Sequence, residues 1–360
     1  MSSYAFWNNK GGVGKSFLCF ISACEYAHRH PDTDVYVIDL CPQANLSETL
    51  LAGHLTRASV ISKLTRKTPR ATVAGYVEAR LSSPFKQLAD VSPYLIVPRQ
   101  TNPAIPANLK LVCGDNLLEI LSEAIRQTSQ LSIPTDAWKQ VITWIKDLTA
   151  KLRDMSGDRD TMFVIDCNPS FAIYTQLALV AADFVVVPFT ADDSSRRAVE
   201  NVVALLYGIG DERTAAYARI SFSKRAKEEG VDTPKLHTFI SNRQTLYEGK
   251  PSRAFEAVSG VIKDTVDDIY GKHRTLFANP RQKPSEGFLE VPAYNPLQKP
   301  SKGFLEVPDY HSASIVAAMT GTPLHALKAG PRDLGGERIQ INPAPLKKYR
   351  LALERVVDCF

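Results

Sequence analysis

Residues 4–16 read YAFWNNKGGVGKS: a short apolar strand runs into a glycine-rich turn, and the following segment, 17–26, has the pattern of a helix. Glycines in such a turn let backbone N–H groups converge on phosphate oxygens, and the helix N-terminus adds a favourable dipole. Lys15 is then placed to neutralise phosphate charge, and the Ser16 hydroxyl to bind Mg²⁺. The pattern predicts a nucleotide-binding loop made of Gly11, Gly12, Val13, Gly14, Lys15, Ser16 and Phe17.

One residue departs from the simplest phosphate-loop pattern, because Lys10 stands where GxxxxGK[ST] has its first glycine. The resulting KGGVGKS resembles the deviant Walker A motif of the ParA/MinD family of P-loop ATPases, closest to ParA-type partition ATPases that lack an N-terminal DNA-binding domain. The resemblance implies that Lys10 reaches across a dimer to the nucleotide of the other subunit. The implied active form is an ATP-sandwiched homodimer with ATP and Mg²⁺ as cofactors, in which Lys10 and Lys15 are catalytic.

Two later apolar strands end in carboxylates, in the order expected for this family. Residues 35–39, VYVID, continue as LCPQANLS, similar to the family's DxDPQxNxS, and residues 163–166, FVID, look like its Walker B strand. A single strand-end aspartate is more often a cap or turn residue, but two of them behind a phosphate loop reverse that preference. The resemblance implies a magnesium site at Ser16, Asp39 and Asp166, with Asp39 also in a catalytic role.

Cys41 breaks the family pattern, because it stands where the motif has its second aspartate. In relatives that carboxylate helps to position the attacking water. Phosphoryl transfer depends on positioning and electrostatics, and a thiol is a weak hydrogen-bond partner that is mostly neutral at pH 7. We therefore expect an ATPase with weak intrinsic activity, with Cys41 at the catalytic position, or hydrolysis that needs a partner protein.

Two shorter stretches resemble the family's contacts to the base. Residues 235–243, KLHTFISNR, read as a late strand that ends at an asparagine, and in related P-loop ATPases an asparagine at this point often hydrogen-bonds adenine. Residues 307–309, VPD, resemble the family's Pro-acidic element beside the base. The resemblance implies nucleotide contacts from Asn242, Pro308 and Asp309.

Strand-like and helical segments alternate along the chain, which predicts an α/β fold with a doubly wound, mainly parallel sheet flanked by helices. The ligand is expected at the carboxyl ends of the strands. The expected strands are 4–7, 35–39, 94–97, 109–112, 162–166, 183–188, 235–240 and 303–307. The expected helices are 16–28, 115–127, 136–153, 172–181, 195–208, 254–269, 312–319 and 346–357. An apolar stripe in 136–153 predicts packing onto the sheet, and Trp144 lies off that stripe, where it could face a partner.

A tandem repeat occurs late in the chain, since residues 282–294, QKPSEGFLEVPAY, recur as 298–310, QKPSKGFLEVPDY. Two copies are too few for a solenoid. We expect the second copy to supply a core strand and the base-contact loop, and the first to form an additional surface segment. The 360 residues are then expected to form one ParA-like ATPase domain, 1–360, with an enlarged 46–160 region and a duplicated segment at 282–310.

Composition limits the class of protein. The chain is 44% hydrophobic and 22% charged with a net charge of +5, which is typical of a globular protein and permits a polyanionic partner without requiring one. Six scattered cysteines without a CxxC pair favour neither a zinc ribbon, a disulfide framework nor a metal-cluster carrier. No apolar run reaches the length of a transmembrane helix. We expect a cytoplasmic protein without transmembrane association, and a nucleoid-associated one if it binds DNA.

The basic residues are concentrated in a few stretches, which in an ATPase of this family favours non-specific, phosphate-directed DNA binding by the ATPase body. A solvated face remains the plainer interpretation of each cluster. The candidate DNA contacts are Lys224, Arg225, Lys347, Lys348 and Arg350, with a further basic stretch at 57–70.

The resemblance favours one function and leaves a second open. The first is a ParA-like ATPase that acts as an ATP-dependent dimeric switch in DNA partition or cargo positioning, with a ParB-like or other cargo-linked protein activating hydrolysis. The alternative is a MinD-like regulator at a membrane or protein apparatus that does not bind DNA. In the alternative, the amphipathic segment 346–357 would contact the membrane; otherwise it would pack as the closing helix.

Overall fold

The structure is a computed structural model. It describes residues 2–51, 57–190, 192–210, 222–244, 246–247, 250–251, 253–281, 284, 304–308 and 311–360. The strands are β1 Ser2–Phe6, β2 Thr33–Leu40, β3 Leu95–Ile96, β4 Leu109–Val112, β5 Asp160–Cys167, β6 Phe184–Phe189, β7 Lys235–Gln244, β8 Leu246–Tyr247, β9 Lys250–Pro251, β10 Phe304–Pro308, β11 Gly330–Leu334 and β12 Glu337–Ile341.

The central sheet has eight strands in the order β10-β7-β6-β1-β5-β2-β4-β3. Neighbours pair in parallel except for the short edge strand β3, which is antiparallel to β4. The predicted mainly parallel sheet is therefore confirmed. Its register places Asp39 directly opposite Asp166, so the two acidic strand ends meet at one point of the sheet edge.

Helices cover both faces of the sheet, as expected for a doubly wound fold. They are α1 Lys15–Arg29, α2 Asn45–Leu50, α3 Arg57–Thr65, α4 Val73–Ser82, α5 Leu117–Ser129, α6 Ala137–Ile142, α7 Trp144–Met155, α8 Ile173–Val180, α9 Asp193–Tyr207, α10 Phe222–Glu228, α11 Arg253–Lys272, α12 His311–Thr320 and α13 Pro343–Val357. No helix in the described part of the chain is long and apolar enough to cross a bilayer.

Alternation along β1 shows how the core is divided between the two faces. Ala5 and Trp7 pack into the apolar layer that contains α4 to α9, whereas Tyr4 and Phe6 pack into the layer that contains α1 and α13. Successive side chains of a strand point to opposite faces, so a fully apolar strand needs both layers.

The expected helix 136–153 is broken at Thr143 into α6 and α7. Trp144 is fully buried, so the prediction that it faces a partner is wrong. Its indole Nε1 donates to the Pro84 carbonyl at 2.9 Å, and the Arg80 guanidinium lies 5.3 Å from its ring centroid. Residues of α4 and the segment after it contact the start of α7, and an apolar stripe within one helix does not predict such contacts.

The second repeat copy supplies strand β10, which pairs in parallel with β7. This confirms that copy as the source of a core strand. Apart from Pro284, the first copy, 282–294, lies outside the described residues.

Candidate nucleotide site

The phosphate loop connects β1 to α1 at the carboxyl end of the sheet. Gly12 and Gly14 have φ of +74° and +85°, in the left-handed region that favours glycine. A Cβ on Gly14 would also lie only 2.1 Å from Nδ2 of Asn242. The loop therefore needs glycine at position 14 for its backbone angle and for the close approach of β7.

Lys15 begins α1 and is nearly buried. Its Nζ donates to the carbonyls of Asn8 at 3.2 Å and Lys10 at 2.9 Å. Burial lowers the pKa of this ammonium, and the nearby charge of Asp166 partly opposes that effect. Because an ammonium has three N–H groups, one remains for a phosphate oxygen while the other two order the loop.

Asp166 is fully buried, and neither of its carboxylate oxygens has a hydrogen-bond partner of regular geometry among the described residues. Its pKa is raised by burial and then by the charge of Asp39, against a smaller opposing effect of the Ser16 hydroxyl. A buried carboxylate without a partner is costly. The arrangement fits a divalent cation held by Ser16 and Asp166.

Within the described residues, no three His, Cys, Asp or Glu side chains come together as a cation site. A magnesium ion at Ser16 and Asp166 would therefore take most of its shell from phosphate oxygens and water, as Mg²⁺ commonly does. The residues present are sufficient for that kind of site.

Asp39 is held differently, although it lies opposite Asp166. Its Oδ2 accepts from the Ser47 hydroxyl at 2.7 Å and the Ser47 N–H at 3.0 Å, and its Oδ1 accepts from the Cys41 N–H at 3.1 Å. Burial still raises its pKa to about 6. Asp39 orders the loop after β2, and the three hydrogen bonds leave about one of its lone pairs, which could accept from a water of a bound Mg²⁺. Ser47, which sequence reasoning missed as a site residue, is the last letter of the LCPQANLS stretch.

Cys41 has a buried thiol whose pKa is raised to about 12, mainly by burial and then by the charges of Asp39 and Asp166. The buried position agrees with the neutral thiol expected from the sequence, and the role of Cys41 in hydrolysis stays a prediction. The amide Nδ2 of Asn168 donates to the Cys41 sulfur at 3.8 Å. Position 41 thus carries no negative charge, and its neighbour is a neutral amide.

Lys10 lies against the start of α9 within the same chain. Its ammonium forms an ion pair with Asp192 and lies 3.2 Å from the Thr190 hydroxyl and 3.3 Å from the Ser195 hydroxyl. Although burial raises the pKa of Asp192, hydrogen bonding to Lys10 and neighbouring hydroxyls holds it well below the usual range. Sequence reasoning missed these partners, which are about 180 residues away along the chain.

Of the three residues predicted to contact the base, the structure describes two. Asn242 is buried, and its Nδ2 donates to the Val13 carbonyl at 3.0 Å, so its amide binds the phosphate loop itself. Pro308 ends β10 opposite Gln244, and Asp309 lies outside the described residues. The adenine contacts of these three residues stay predictions.

Some of the candidate DNA-contacting residues make contacts within the chain, and others are exposed. Arg225 pairs with Glu229 at 2.8 Å and lies over the Trp138 ring, while Arg350 donates to the carbonyls of Leu324 and Leu327. These two guanidiniums therefore stabilise the chain itself. Exposed side chains remain at Lys224, which is 3.7 Å from Glu228, and at Lys347 and Lys348 on α13.

The apolar face of α13 is buried in the core layer shared with α1, through Leu346, Tyr349, Leu353 and Val356. Beyond the helix, Asp358 accepts from Arg29 of α1 at 2.7 Å. The amphipathic C-terminal segment is thus the closing helix of the fold, and its apolar face is occupied.

Comparison with known proteins agrees with this geometry. A family model described as AAA domain matches residues 1–216. Apo McdA of Cyanothece has a TM-score of 0.55 and 14% identity, with 99% of both chains covered. A McdA variant of Cyanothece in complex with ATP has a TM-score of 0.56 and 15% identity, covering 99% of this chain and 96% of that one. A putative plasmid partition protein of Borrelia burgdorferi B31 bound to AMPPNP has a TM-score of 0.54 and 15% identity, covering 99% and 98%. No curated protein sequence matches this chain.

The structural likenesses show a shared fold, and the family match extends over more than half of the chain. Both agree with the strand order, the phosphate loop and the paired acidic strand ends described above. The chain therefore belongs to the family described as AAA domain, and its fold and phosphate loop are consistent with the resemblance to the ParA/MinD P-loop ATPases.

Proposed function

We propose that this chain is a ParA-like ATPase that acts as an ATP-dependent dimeric switch in DNA partition or cargo positioning. The observation that carries the proposal is the buried Asp166 carboxylate, which has no hydrogen bond of regular geometry among the described residues and lies near the Lys15 ammonium. Such a site is electrostatically incomplete until a metal and phosphates complete it. The solved structures of a McdA variant in complex with ATP and of a plasmid partition protein bound to AMPPNP support this ligand class.

In the proposed cycle, Ser16 and Asp166 hold Mg²⁺, which neutralises phosphate charge when bound. Lys15 and the loop N–H groups bind the phosphates. Lys10 leaves Asp192 and reaches the nucleotide of a second copy, which couples ATP binding to dimer formation. Hydrolysis is slow because Cys41 offers no charge to orient water, and a ParB-like or other cargo-linked protein accelerates it.

The proposed ATP dimer binds DNA through exposed lysines, with Lys224, Lys347 and Lys348 as the available candidates. The protein then acts in the cytoplasm, at the nucleoid. A MinD-like membrane role receives less support, because the apolar face of α13 is already buried.

The experiment is ATP-dependent DNA binding over a series of salt concentrations, with wild type, Lys10→Ala, Lys15→Ala and Lys86→Ala as an exposed control. We expect wild type and Lys86→Ala to bind DNA only with ATP and Mg²⁺, and Lys10→Ala and Lys15→Ala to lose this ATP-dependent binding. Binding that ignores nucleotide and both loop lysines would rule out the switch. A parallel arm with anionic vesicles tests the membrane alternative.

A further inference from the structure

The side chain of Asn168 is held at both ends, directly after the β5 strand that carries Asp166. Its Oδ1 accepts from the Ser170 N–H at 2.9 Å and from the Ser170 hydroxyl at 2.8 Å. Its Nδ2 donates to the Cys41 sulfur at 3.8 Å. Because two donors fix the oxygen, the direction of the amide nitrogen is fixed as well, and it points at position 41.

The hydrogen bonds that hold Asn168 continue through Ser170 to side chains on two helices. The Ser170 hydroxyl lies 3.4 Å from the Tyr174 hydroxyl on α8, and that hydroxyl donates to Glu119 on α5 at 2.8 Å. Burial raises the pKa of Tyr174 to about 12, so its proton stays in place. The amide is therefore part of a preorganised polar chain and is half-buried at the open side of the site.

Position 41 is where the family pattern implies a group that orients the attacking water. Cys41 is a poor group for that task, because a neutral thiol is a weak hydrogen-bond partner. Asp39 and Asp166 already place two carboxylates within the buried site. A neutral amide holds a water oxygen through its N–H groups without adding a third negative charge beside them and the phosphates.

We propose that Asn168 is the water-positioning residue of this chain, with its Nδ2 donating to the attacking water beside Cys41. The inference rests on the proposed ATPase function. In the step, the water oxygen bonds to the γ-phosphorus while the bond to the β–γ bridging oxygen breaks. ADP leaves with that electron pair, and a water proton passes to a γ-phosphate oxygen. Asn168 orients the nucleophile and takes no proton.

The test measures single-turnover ATP hydrolysis and ATP affinity for wild type and Asn168→Ala, each alone and combined with Cys41→Asp. Asn201→Ala removes an exposed amide on α9 as the matched control. We expect Asn168→Ala to slow hydrolysis about tenfold or more while its ATP Kd stays within about twofold of wild type. In the Cys41→Asp background the loss should shrink, because the new carboxylate also orients water.

Two further variants keep the test decisive. If Asn168→Ala has a lowered thermal midpoint, Asn168→Ser and Ser170→Ala replace it, and Ser170→Ala should give a smaller loss in rate because it only loosens the amide. Hydrolysis that is unaffected by Asn168, or a loss of rate that follows a loss of ATP affinity, would overturn the inference alone. A wild type that binds no ATP would overturn the proposed function and this inference with it.

Discussion

Asp39 and Asp166 stand opposite each other at the ends of neighbouring strands, yet the chain gives them different surroundings. Asp39 accepts three hydrogen bonds, whereas Asp166 has no regular hydrogen bond among the described residues. An uncompensated buried charge destabilises the folded chain and is retained where function requires it. The cost is removed when a cation binds.

Replacing Asp166 by Asn should raise the thermal midpoint of the nucleotide-free chain at pH 8 by about 2 °C or more, and abolish Mg²⁺-dependent nucleotide binding. The carboxyl has a raised pKa in the folded state, so its ionisation lowers stability as the pH rises above the unfolded value of about 4. The gain should therefore shrink as the pH falls towards 5. Scanning calorimetry at pH 5, 6.5 and 8 measures it. An Asn variant that is no more stable than wild type at pH 8 would contradict the assignment.

Replacing Cys41 by Asp should raise intrinsic ATP hydrolysis about tenfold, equivalent to about 1.4 kcal/mol of barrier. The reason is that a carboxylate orients water through a charged acceptor, which the buried neutral thiol does not provide. Single-turnover hydrolysis is the measurement, and Cys41→Asn, which has a similar size but no charge, is the matched control. Faster turnover by wild type than by the Asp variant would refute the explanation.

At the scale of elements, the start of α9 binds the Lys10 ammonium within the same chain. Thr190, Asp192 and Ser195 surround the Lys10 ammonium, and Asp192 also caps α9 by accepting from the Ser194 N–H at 3.1 Å. The same carboxylate therefore orders a helix terminus and occupies the lysine that the proposed dimer needs. Formation of the proposed dimer would have to break this contact.

Changing Asp192 to Asn should let the ATP-bound dimer form at a protein concentration about three- to tenfold lower. Asn caps helices about as well as Asp, so the start of α9 is kept while the ion pair is lost. Analytical ultracentrifugation with ATP and Mg²⁺ gives the dimer constant. Glu200→Gln, which removes the acid of another ion pair on the same helix, that with Arg196, is the control. Equal or weaker dimerisation of the Asn variant would show that the pair does not compete with assembly.

Deleting residues 282–297 should leave the fold and ATP binding intact. The deletion joins Arg281 to Gln298, so the segment leading into β10 becomes RQKPSKGFLEVP, which differs from the natural RQKPSEGFLEVP at one position. The core strand itself, Phe304–Pro308, is retained. Circular dichroism melting and ATP binding check the result, and an unfolded product would reverse the assignment of the two copies.

The sequence predicted the elements that are locally strong and missed those decided by tertiary contacts. The apolar runs of β2 and β5 and the glycine loop before α1 can be recognised from local sequence alone. The sequence did not predict helices α2 to α4, and the β11–β12 hairpin, in which half of the residues are exposed, has no apolar run. The ion pair of Lys10 and the hydrogen bonds of Asn168 were also not predicted. Their partners are distant in sequence, or depend on side-chain directions that the sequence does not show.

At the scale of the whole molecule, the effect of the net charge of +5 on polyanion binding depends on which basic side chains are exposed. Arg225 and Arg350 make contacts within the chain, whereas Lys347 and Lys348 are exposed on α13. The buried face of that helix is separate from its lysines. The lysines of α13 can therefore be replaced without changing the packing of its buried face.

Replacing Lys347 and Lys348 together by Ala should weaken DNA binding in the ATP state and reduce the slope of log K against log salt by about 2. Each phosphate contact contributes about 0.9 to that slope. Thermal stability should stay near that of wild type, because both side chains are exposed. Filter binding from 50 to 200 mM salt measures the slope, with Lys86→Ala as the control. An unchanged slope would place DNA on another face.

The contact between Lys10 and Asp192 also connects the phosphate loop to a distant part of the surface. Helix α9 packs against α10, which carries Lys224, and against α11. In the proposed switch, release of the lysine removes one anchor of the first turn of α9. Amide exchange in that first turn should then rise with nucleotide occupancy.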